Sequence, residues 1–165
     1  MEMMDIVNEK DEVVGKAQRE EVYKKLLLHR IVHVLIFNVK GEMALQLRSN
    51  VNFCPYYWCT AAGGHVKSGE SWEDAGKREL KEELGVEAKL TLLYKDIYTD
   101  NFRKTNMKKI LATFKTVYSG SFKINPEEVD KIEFFSLEKI QQMVNNKEKM
   151  HPELLFLLKK HFGVK

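Results

Sequence analysis

The first half of the chain alternates apolar runs with polar turns, which is the pattern of short β-strands. The run at residues 29–37, HRIVHVLIF, is apolar and rich in β-branched residues, so it predicts a buried strand. A polar turn at residues 40–41 separates this run from a second one at residues 43–48, and the pair predicts a β-hairpin. A polar loop over residues 49–57 then leads to a short strand predicted at residues 58–62.

Strand-like apolar runs recur later in the chain, at residues 89–98, 109–118 and 131–135. A polar loop over residues 99–108 separates the first two of these runs. Lys108 and Lys109 stand where the loop meets the second run. Because lysines often protect unpaired sheet edges, these two are expected to coat an exposed edge strand.

Two helices are predicted near the C-terminus. One covers residues 137–144, and Ser136 just before it is a suitable N-cap. The other begins at Pro152, because proline is favoured in the first turn of a helix. The apolar face of this last helix is broad and consists of Leu154, Leu155, Leu157 and Leu158.

The N-terminal residues form a third predicted unit. Residues 5–17 predict two short strands around a polar turn, and residues 18–27 predict a short charged helix. At 165 residues the chain is long enough for one domain with its own core and too short for two of ordinary size. We therefore predict a single mixed α/β domain over residues 1–165. It divides into an N-terminal extension, a core and a C-terminal helix, at residues 1–28, 29–145 and 150–165.

The segment from residue 64 to residue 86 predicts the best-defined helix of the chain. Ser71 is a suitable N-cap with Asp74 three residues further on, and Gly85 stands where helices commonly end in the left-handed conformation. A stripe suited to the core repeats every four residues and consists of Trp72, Gly76, Leu80 and Leu84. This stripe is expected to pack on the sheet, beside an acidic face.

Three glutamates on this helix, Glu79, Glu82 and Glu83, have the i, i+3, i+4 spacing that places side chains on one face. Like charges this close repel one another, and a divalent cation would remove that penalty. Carboxylate oxygens suit Mg²⁺ and Mn²⁺, and Mg²⁺ commonly shares its shell with substrate phosphates. The glycine pair just before the helix lets the backbone approach closely, so the carbonyl of Gly63 is a further candidate metal ligand.

The same segment resembles the complete signature of the Nudix hydrolases. The matching positions are Gly64, Glu70, Arg78, Glu79, Leu80, Glu82, Glu83, Gly85 and Val86. The resemblance covers residues 29–145 and implies the Nudix fold, a mixed β-sheet sandwiched between α-helices. It also implies a metal-dependent hydrolase that cleaves a pyrophosphate bond, with Mg²⁺ or Mn²⁺ as cofactor. The expected small-molecule substrate is a nucleoside diphosphate-linked or other organic diphosphate.

The resemblance also implies roles for single residues of the motif. In the family, the glutamates that match Glu79, Glu82 and Glu83 bind the metal ions. The arginine that matches Arg78 holds the acidic residue that matches Glu70 in an ion pair, which orders the loop before the helix. Arg78 is therefore expected to belong to the catalytic machinery.

The catalytic base differs among members of the family, because it lies either in the motif helix or on a late loop. Here Glu82 or Glu83 is expected to activate the attacking water. Glu128, in the segment Asn-Pro-Glu-Glu-Val-Asp, is expected to contribute from a late loop. Glu128 and its neighbour Glu127 fit a solvated turn equally well.

The N-terminal part of the chain resembles the branch of the type I isopentenyl-diphosphate isomerases and the Nudix hydrolases closely related to them. The similar stretch is DIVNEKDEVVGKAQREEV followed by LLHR. His29 and His65 match metal-ligand positions of the isomerases. However, the isomerase cysteine directly precedes Gly-His, and Gly63 stands at that position here, while Cys59 lies four residues earlier.

The second proton carrier of the isomerases is missing as well. Residues 107–110 are Met-Lys-Lys-Ile, where isomerases have two glutamates in Glu-x-Glu spacing. A non-catalytic Nudix-like binding module is a further alternative, but such a module is expected to lose motif glutamates and none is lost here. Hydrolysis is therefore the preferred prediction, with the isomerase and the binding module as alternatives.

Two side chains close to the motif are candidate substrate contacts. Arg48 ends a predicted strand beside the site, where it either contacts a substrate phosphate or forms a surface ion pair. Tyr57 lies between Tyr56 and Trp58, and this aromatic run either stacks on a base or belongs to the core. His33, in an apolar strand, is interpreted as a structural residue.

Composition limits the partners. With 44% hydrophobic and 31% charged residues the chain has a globular composition, and its net charge of +3 comes from dispersed lysines, which argues against a nucleic-acid partner. No apolar run is long enough to span a membrane, so no membrane association is expected. Cys54 and Cys59 lack zinc-site spacing and favour a reduced, cytoplasmic setting. The N-terminal extension and the apolar C-terminal helix are compatible with a homodimer or with packing inside one chain.

Overall fold

The apolar run at residues 29–37 forms the central strand of the main sheet. The computed structural model describes residues 2–165, and residue 1, the first of the predicted extension, lies outside the described residues. The strands are β1 Met3–Val7, β2 Val13–Gln18, β3 His29–Phe37, β4 Met43–Arg48, β5 Trp58–Thr60, β6 Ala62–His65, β7 Thr91–Asp100, β8 Met107–Val117 and β9 Val129–Phe135. The helices are α1 Arg19–Lys25, α2 Trp72–Leu84, α3 Leu137–Asn145 and α4 Pro152–His161.

The main sheet is mixed, as the sequence predicts. Its strand order is β5-β4-β3-β8-β7, and in addition β6 pairs with β3 and β9 pairs with β4. Strands β3 and β8 run parallel, and β7 and β8 run antiparallel. Strand β8 therefore lies inside the sheet, between β3 and β7, and the expectation that it forms an exposed edge is wrong.

The predicted β3–β4 hairpin is only partly correct. The two strands follow each other through a tight turn, but they pair only at Phe37 and Met43. Past this point β6 occupies that edge of β3, since residues 62–65 pair with residues 31–34. Strand β4 instead pairs with β5 and β9. The glycines at residues 63–64 thus lie within β6 and not in a connecting loop.

Helices cover both faces of the sheet, which confirms the predicted sandwich. On one face, Val32, Val34 and Ile36 of β3 pack with Leu80 and Leu84 of α2. Leu35 points to the other face and packs in a second cluster with α3 and α4, whose buried members include Ile140, Met143, Leu154 and Leu158. Period-two alternation along β3 thus supplies both layers of the core. No helix in residues 2–165 is long and apolar enough to cross a membrane.

The motif helix α2 begins and ends where its sequence predicts. The Ser71 hydroxyl accepts a hydrogen bond from the backbone N–H of Asp74 at 3.1 Å. Gly85 ends the helix with φ of 66°, the left-handed conformation that glycine adopts without strain. Leu80 and Leu84 are fully buried, whereas Trp72 is half-buried at the first turn. The capping residues therefore fix where the acidic face starts and stops.

The N-terminal hairpin packs on the loop that precedes α2. The carboxylate of Asp5 accepts hydrogen bonds from the Ser68 hydroxyl at 2.7 Å and from the backbone N–H of Gly69 at 3.1 Å. Asp11, at the turn of the hairpin, binds Arg30 at 2.6 Å and the Trp72 indole N–H at 2.9 Å. The extension is therefore anchored to the same segment that carries the motif.

Candidate active site

The motif residues line one large cleft of about 550 Å³. Its walls come from strands β3 to β6 and β8, from helices α1 and α2 and the start of α4, and from the segments after β4, after β7 and before β9. A cleft of this size accommodates a small organic molecule rather than a lone ion. The predicted site residues that line it are Arg48, Gly63, Arg78, Glu79, Glu82, Glu83 and Glu128.

Arg78 and Glu70 form the ion pair that the resemblance implies. The Arg78 Nε donates to Glu70 Oε1 at 2.7 Å, and its Nη2 donates to Glu70 Oε2 at 2.9 Å. The same guanidinium also donates to the backbone carbonyl of His65 at 3.0 Å. Burial opposes charge on Glu70, but the hydrogen bonds from Arg78 and from the backbone N–H of Lys67, together with the charge of Arg78, outweigh it, and the pKa of Glu70 is lowered. Arg78 therefore fastens the loop before α2 to strand β6.

Glu83 is buried, and its carboxylate is held from two sides. Its Oε1 accepts a hydrogen bond from the Gln46 amide at 2.9 Å, and its Oε2 accepts one from the backbone N–H of Gly63 at 3.1 Å. Burial, and next the neighbouring charge of Glu79, raise the pKa of Glu83 well above its ordinary value. Burial also raises the pKa of Glu79. Two carboxylates thus lie side by side in a poorly solvated corner, where a cation would relieve their repulsion.

The backbone of β6 leaves room for the Glu79 carboxylate. A Cβ atom built on Gly64 would overlap with Glu79 Oε1, so a larger residue at this position would displace the Glu79 carboxylate. The donor set of carboxylate oxygens fits a hard divalent cation. Within residues 2–165, however, no three acidic, histidine or cysteine side chains already converge on one metal-sized centre. Arg78 forms ion pairs with Glu79 at 2.8 Å and with Glu82 at 3.3 Å. Gln46 and the backbone N–H of Gly63 donate hydrogen bonds to Glu83.

Glu82 and Glu128 face the cleft from two different elements. The Glu82 side chain is 50% exposed, so it is the most accessible carboxylate of the motif. Glu128 comes from the turn before β9, and its pKa is raised, first by burial and then by the charge of Glu82. The structure therefore places Glu128 in the same cleft as the motif helix. Glu127 also lines the cleft.

The two candidate substrate contacts lie in different surroundings. Arg48 lines the cleft, and both its Nε and Nη2 donate to the carbonyl of Phe53, at 3.2 and 2.9 Å. It makes no ion pair with another described residue. Tyr57 is not among the cleft-lining residues. Its ring packs edge-on against the ring of Phe102, with the two centroids 6.3 Å apart. Trp58 belongs to the core, where it packs on Phe135.

A buried polar network at the inner wall was not anticipated. The carboxylate of Glu153 accepts hydrogen bonds from Lys109 Nζ at 3.1 Å and from the His33 ring at 2.9 Å. The other ring nitrogen of His33 lies 2.7 Å from the Thr60 hydroxyl. Burial opposes charge on Glu153, but Lys109 and His33 hold the pKa of Glu153 well below its ordinary value. Lys109 is 2% exposed, so the prediction that it coats an edge is wrong, whereas Lys108 is exposed.

The local sequence pattern around Lys109 and Glu153 is ambiguous. Lys109 stands at the start of an apolar run, and Glu153 stands at the start of an apolar helix. Charged residues are common at such strand and helix ends. Nothing in the local pattern indicates that these two residues, 44 positions apart, share one ion pair.

A family model now places these features among known proteins: the NUDIX domain model matches residues 27–154. The chain belongs to the Nudix family. The match includes strand β3, the complete motif and the first turn of α4. The predicted family and fold are thereby confirmed.

Individual Nudix relatives agree with this assignment. The uncharacterized Nudix hydrolase YfcD of Escherichia coli K12 is 30% identical over 84% of this chain and 76% of its own length. The isopentenyl-diphosphate Delta-isomerase 2 of Photorhabdus laumondii is 28% identical over 88% of this chain and 83% of its own. The crystal structure of DR0079 from Deinococcus radiodurans is 26% identical, with a TM-score of 0.82 over 96% of this chain and 98% of that one. The family model and the Nudix hydrolase relatives support a Nudix hydrolase.

The isomerase-like histidines do come together in this Nudix domain. The rings of His29 and His65 stack with centroids 5.6 Å apart, and the Tyr23 hydroxyl hydrogen-bonds to His65 Nε2 at 2.7 Å. The two glutamates of the isomerases are absent at the matched positions. Met107 is buried there in an apolar cluster, and Lys109 carries a positive charge. Burial raises the pKa of the Cys59 thiol to about 11, so Cys59 is protonated at neutral pH.

Proposed function

We propose that the chain is a Mg²⁺- or Mn²⁺-dependent hydrolase that cleaves a pyrophosphate bond in a nucleoside diphosphate-linked or other organic diphosphate. The observation that carries this proposal is the Glu79–Glu83 corner. Glu83 is held there by Gln46 and by the backbone of β6, while its neighbour Glu79 and the accessible Glu82 pair with Arg78. Such oxygen-rich clusters suit hard cations that share their shell with phosphates.

The metal would be held by Glu79, Glu82 and Glu83, with the carbonyl of Gly63 as a further ligand. When bound, a divalent cation polarises the phosphoryl oxygens and lowers the pKa of a bound water. The pairs that Arg78 makes with Glu79 and Glu82 would have to loosen when the cation binds. Arg78 would keep its two bonds to Glu70, so the loop before α2 stays ordered while the carboxylates turn to the cation.

Glu82 is the better placed base of the two motif candidates. Its carboxylate faces the cleft and is half exposed, so a water molecule reaches it directly. Glu83 already accepts two hydrogen bonds and is buried, which suits a ligand better than a proton acceptor. Glu128, on the opposite side of Glu82, would help to orient the attacking water. Its pKa is raised, first by burial and then by the charge of Glu82, which makes it a stronger proton acceptor than an ordinary glutamate.

The substrate would enter between the motif and the loop after β4. Arg48 is positioned to reach a phosphate once its bonds to the Phe53 carbonyl open. Tyr57 lies beyond this wall and would act through Phe102, which its ring contacts. A cytoplasmic location, suggested by the two free cysteines, and a homodimeric state are parts of the same proposal.

The isomerase is the one alternative that a specific observation favours, since an isomerase is among the relatives and the matched His29 and His65 stack on each other, with His65 at the cleft wall. Incubation with Mg²⁺ and a panel of nucleoside diphosphate derivatives, dinucleotides and isoprenoid diphosphates separates the two. Phosphate or nucleotide release is expected, and Glu82→Gln should slow it by about a hundredfold, as for loss of a general base. An isoprenoid product with a shifted double bond and no released phosphate would overturn the hydrolase. Activity of Glu82→Gln within a few-fold of wild type would overturn the assigned base.

A further inference from the structure

Three cationic side chains converge on one aromatic ring at the cleft wall. The guanidinium carbons of Arg19 and Arg103 lie 5.9 and 5.0 Å from the centroid of the Tyr23 ring, and Lys109 Nζ lies 5.7 Å from it. All four residues line the cleft. They come from α1, from the loop after β7 and from β8, so the fold assembles this group from three distant segments. We call Arg19, Arg103 and Lys109 the cationic triad.

The cationic triad is incompletely neutralised. Lys109 pairs with Glu153 at 3.1 Å and lies 4.0 Å from Asp100, and Arg103 lies 3.9 Å from the same Asp100. Arg19 makes no ion pair with a carboxylate among residues 2–165. Three positive charges therefore face two carboxylates, and one of these, Glu153, also binds His33. The π-face of Tyr23 offsets only part of the remaining charge.

The motif glutamates do not supply the missing counter-charge. Their ion pairs within the described chain are with Arg78, and Glu83 is held by Gln46 and Gly63. An anion is thus the ligand that this wall lacks.

Two further potential phosphate donors line the same cleft. Arg48 adds a fourth cation on the neighbouring wall, where its bonds go to a backbone carbonyl and not to a carboxylate. His151 lines the cleft as well, and its Nδ1 accepts the backbone N–H of Glu153, so the Nε2–H remains as a donor. Arginine side chains bind phosphate oxygens with two parallel hydrogen bonds, which makes such groups the natural partner of this wall.

We propose that Arg19 and Arg103, supported by the buried Lys109, form a second anion subsite that binds a phosphate group of the substrate separate from the scissile diphosphate. This inference rests on the proposed hydrolysis and narrows its substrate class. The substrate is an organic diphosphate that carries an additional phosphate monoester. The motif end of the cleft takes the diphosphate, and the Tyr23 end takes the additional phosphate.

Binding of inorganic phosphate to metal-free protein tests the subsite without any catalysis. In buffer with EDTA, calorimetry or NMR titration with phosphate should give a dissociation constant in the millimolar range for wild type. The double variant Arg19→Gln/Arg103→Gln should bind about tenfold more weakly, as for the loss of charge-assisted hydrogen bonds. The matched control Lys24→Gln/Lys104→Gln removes two exposed cations from the same helix and the same loop and should bind like wild type.

A charge-retaining variant separates loss of binding from loss of structure. Arg19→Lys/Arg103→Lys should recover most of the phosphate affinity, and its circular dichroism should match that of wild type. Absence of phosphate binding to wild type would overturn the subsite. So would equal binding by wild type and by the double glutamine variant.

Matched substrates distinguish a substrate-borne phosphate from free phosphate. Coenzyme A and dephospho-coenzyme A differ by one phosphate monoester, as do NADPH and NADH. Wild type should show a KM about tenfold lower for the phosphorylated member of a pair, and Arg103→Gln should reduce this preference. Hydrolysis without such a preference would refute a substrate phosphate at this wall and leave the hydrolase intact. Phosphate binding without hydrolysis of any diphosphate would refute the proposed function and leave the subsite intact.

Discussion

The side-chain amide of Gln46 on β4 donates a hydrogen bond to the buried carboxylate of Glu83 on α2 at 2.9 Å. The same amide donates its second hydrogen to the Ala61 carbonyl at 2.8 Å, so both of its N–H groups are used. Gln46 is itself 3% exposed. It therefore links the sheet to the motif helix and presents Glu83 in one orientation, before any metal or substrate arrives.

Replacing Gln46 tests whether this link positions the metal ligand. In Gln46→Met the buried carboxylate of Glu83 loses a donor and a backbone carbonyl loses its partner, which costs about 1–3 kcal/mol. We expect kcat/KM to fall about tenfold or more and the Mg²⁺ concentration for half-maximal activity to rise. The control Gln142→Met, on the exposed side of α3, should change neither value. An unchanged Mg²⁺ requirement in Gln46→Met would refute the positioning role.

Gly64 tests the space reserved for the Glu79 carboxylate. In Gly64→Ala the new Cβ overlaps with Glu79 Oε1, so the carboxylate has to leave its corner. We expect Mg²⁺-dependent activity to drop by at least about tenfold while the fold remains. Gly15→Ala is a suitable control, because a Cβ at Gly15 meets nothing within 4 Å. The activity and the urea unfolding midpoint of both variants are measured under the same conditions. Equal activity of the two variants would contradict the prediction.

Asp11 tests the docking of the N-terminal hairpin. Its carboxylate binds Arg30 at 2.6 Å, Trp72 at 2.9 Å and Lys95 at 2.5 Å. Asn tolerates the left-handed backbone of Asp11, whose φ is 65°, but in Asp11→Asn an amide NH2 replaces one accepting oxygen, so charge and hydrogen bonds are both lost. We expect the free energy of unfolding to fall by about 1–3 kcal/mol in urea titrations. The nearby Glu9→Gln breaks only an exposed pair with Lys108 and should cost less than about 1 kcal/mol.

Buried histidines predict a loss of stability in mild acid. Burial lowers the pKa of His29 from 6.5 to about 4 and that of His151 from 6.5 to about 3. Between the ordinary pKa of 6.5 and the lowered pKa of each histidine, the unfolded chain binds more protons than the folded one. These two histidines therefore leave the free energy of unfolding at its full value above pH 6.5. Below that pH the free energy of unfolding falls, by at most about 1.4 kcal/mol per pH unit for each group.

His151→Asn isolates one of these groups. Asparagine is a good N-cap, so the bond that His151 Nδ1 accepts from the backbone of Glu153 has a replacement. Urea unfolding at a series of pH values should show a slope smaller by about one proton than in wild type. An identical slope in both proteins would mean that His151 does not titrate on unfolding.

Local patterns predicted the motif helix and its surroundings well. Ser71 and Gly85 bound α2, Ser136 caps α3, and the C-terminal helix begins at Pro152. Capping depends on residues within a few positions of one another, which is why the sequence reveals it. Strand ends were less accurate: the β7–β8 pairing extends to Asp100 opposite Met107 and shortens the intervening loop.

Features that depend on distant pairing escaped the local pattern. Lys109 looks like a solvated edge lysine until β8 is placed between β3 and β7. The partner that permits its burial, Glu153, stands at the start of α4 and becomes its neighbour only in the folded chain. A buried charge requires such a partner, and the sequence does not name it.

The sequence by itself determined the family, the fold class and the acidic face of α2, because the i, i+3, i+4 spacing of its glutamates and the caps of the helix are local properties. Only the tertiary structure decided how those carboxylates are held. Gln46, the backbone of β6 and the N-terminal hairpin converge on the motif from separate segments. The cationic triad around Tyr23 likewise exists only after α1, the loop after β7 and β8 are brought together. Contacts between residues far apart in the chain depend on how strands pair and helices pack, which periodicity along the chain does not encode.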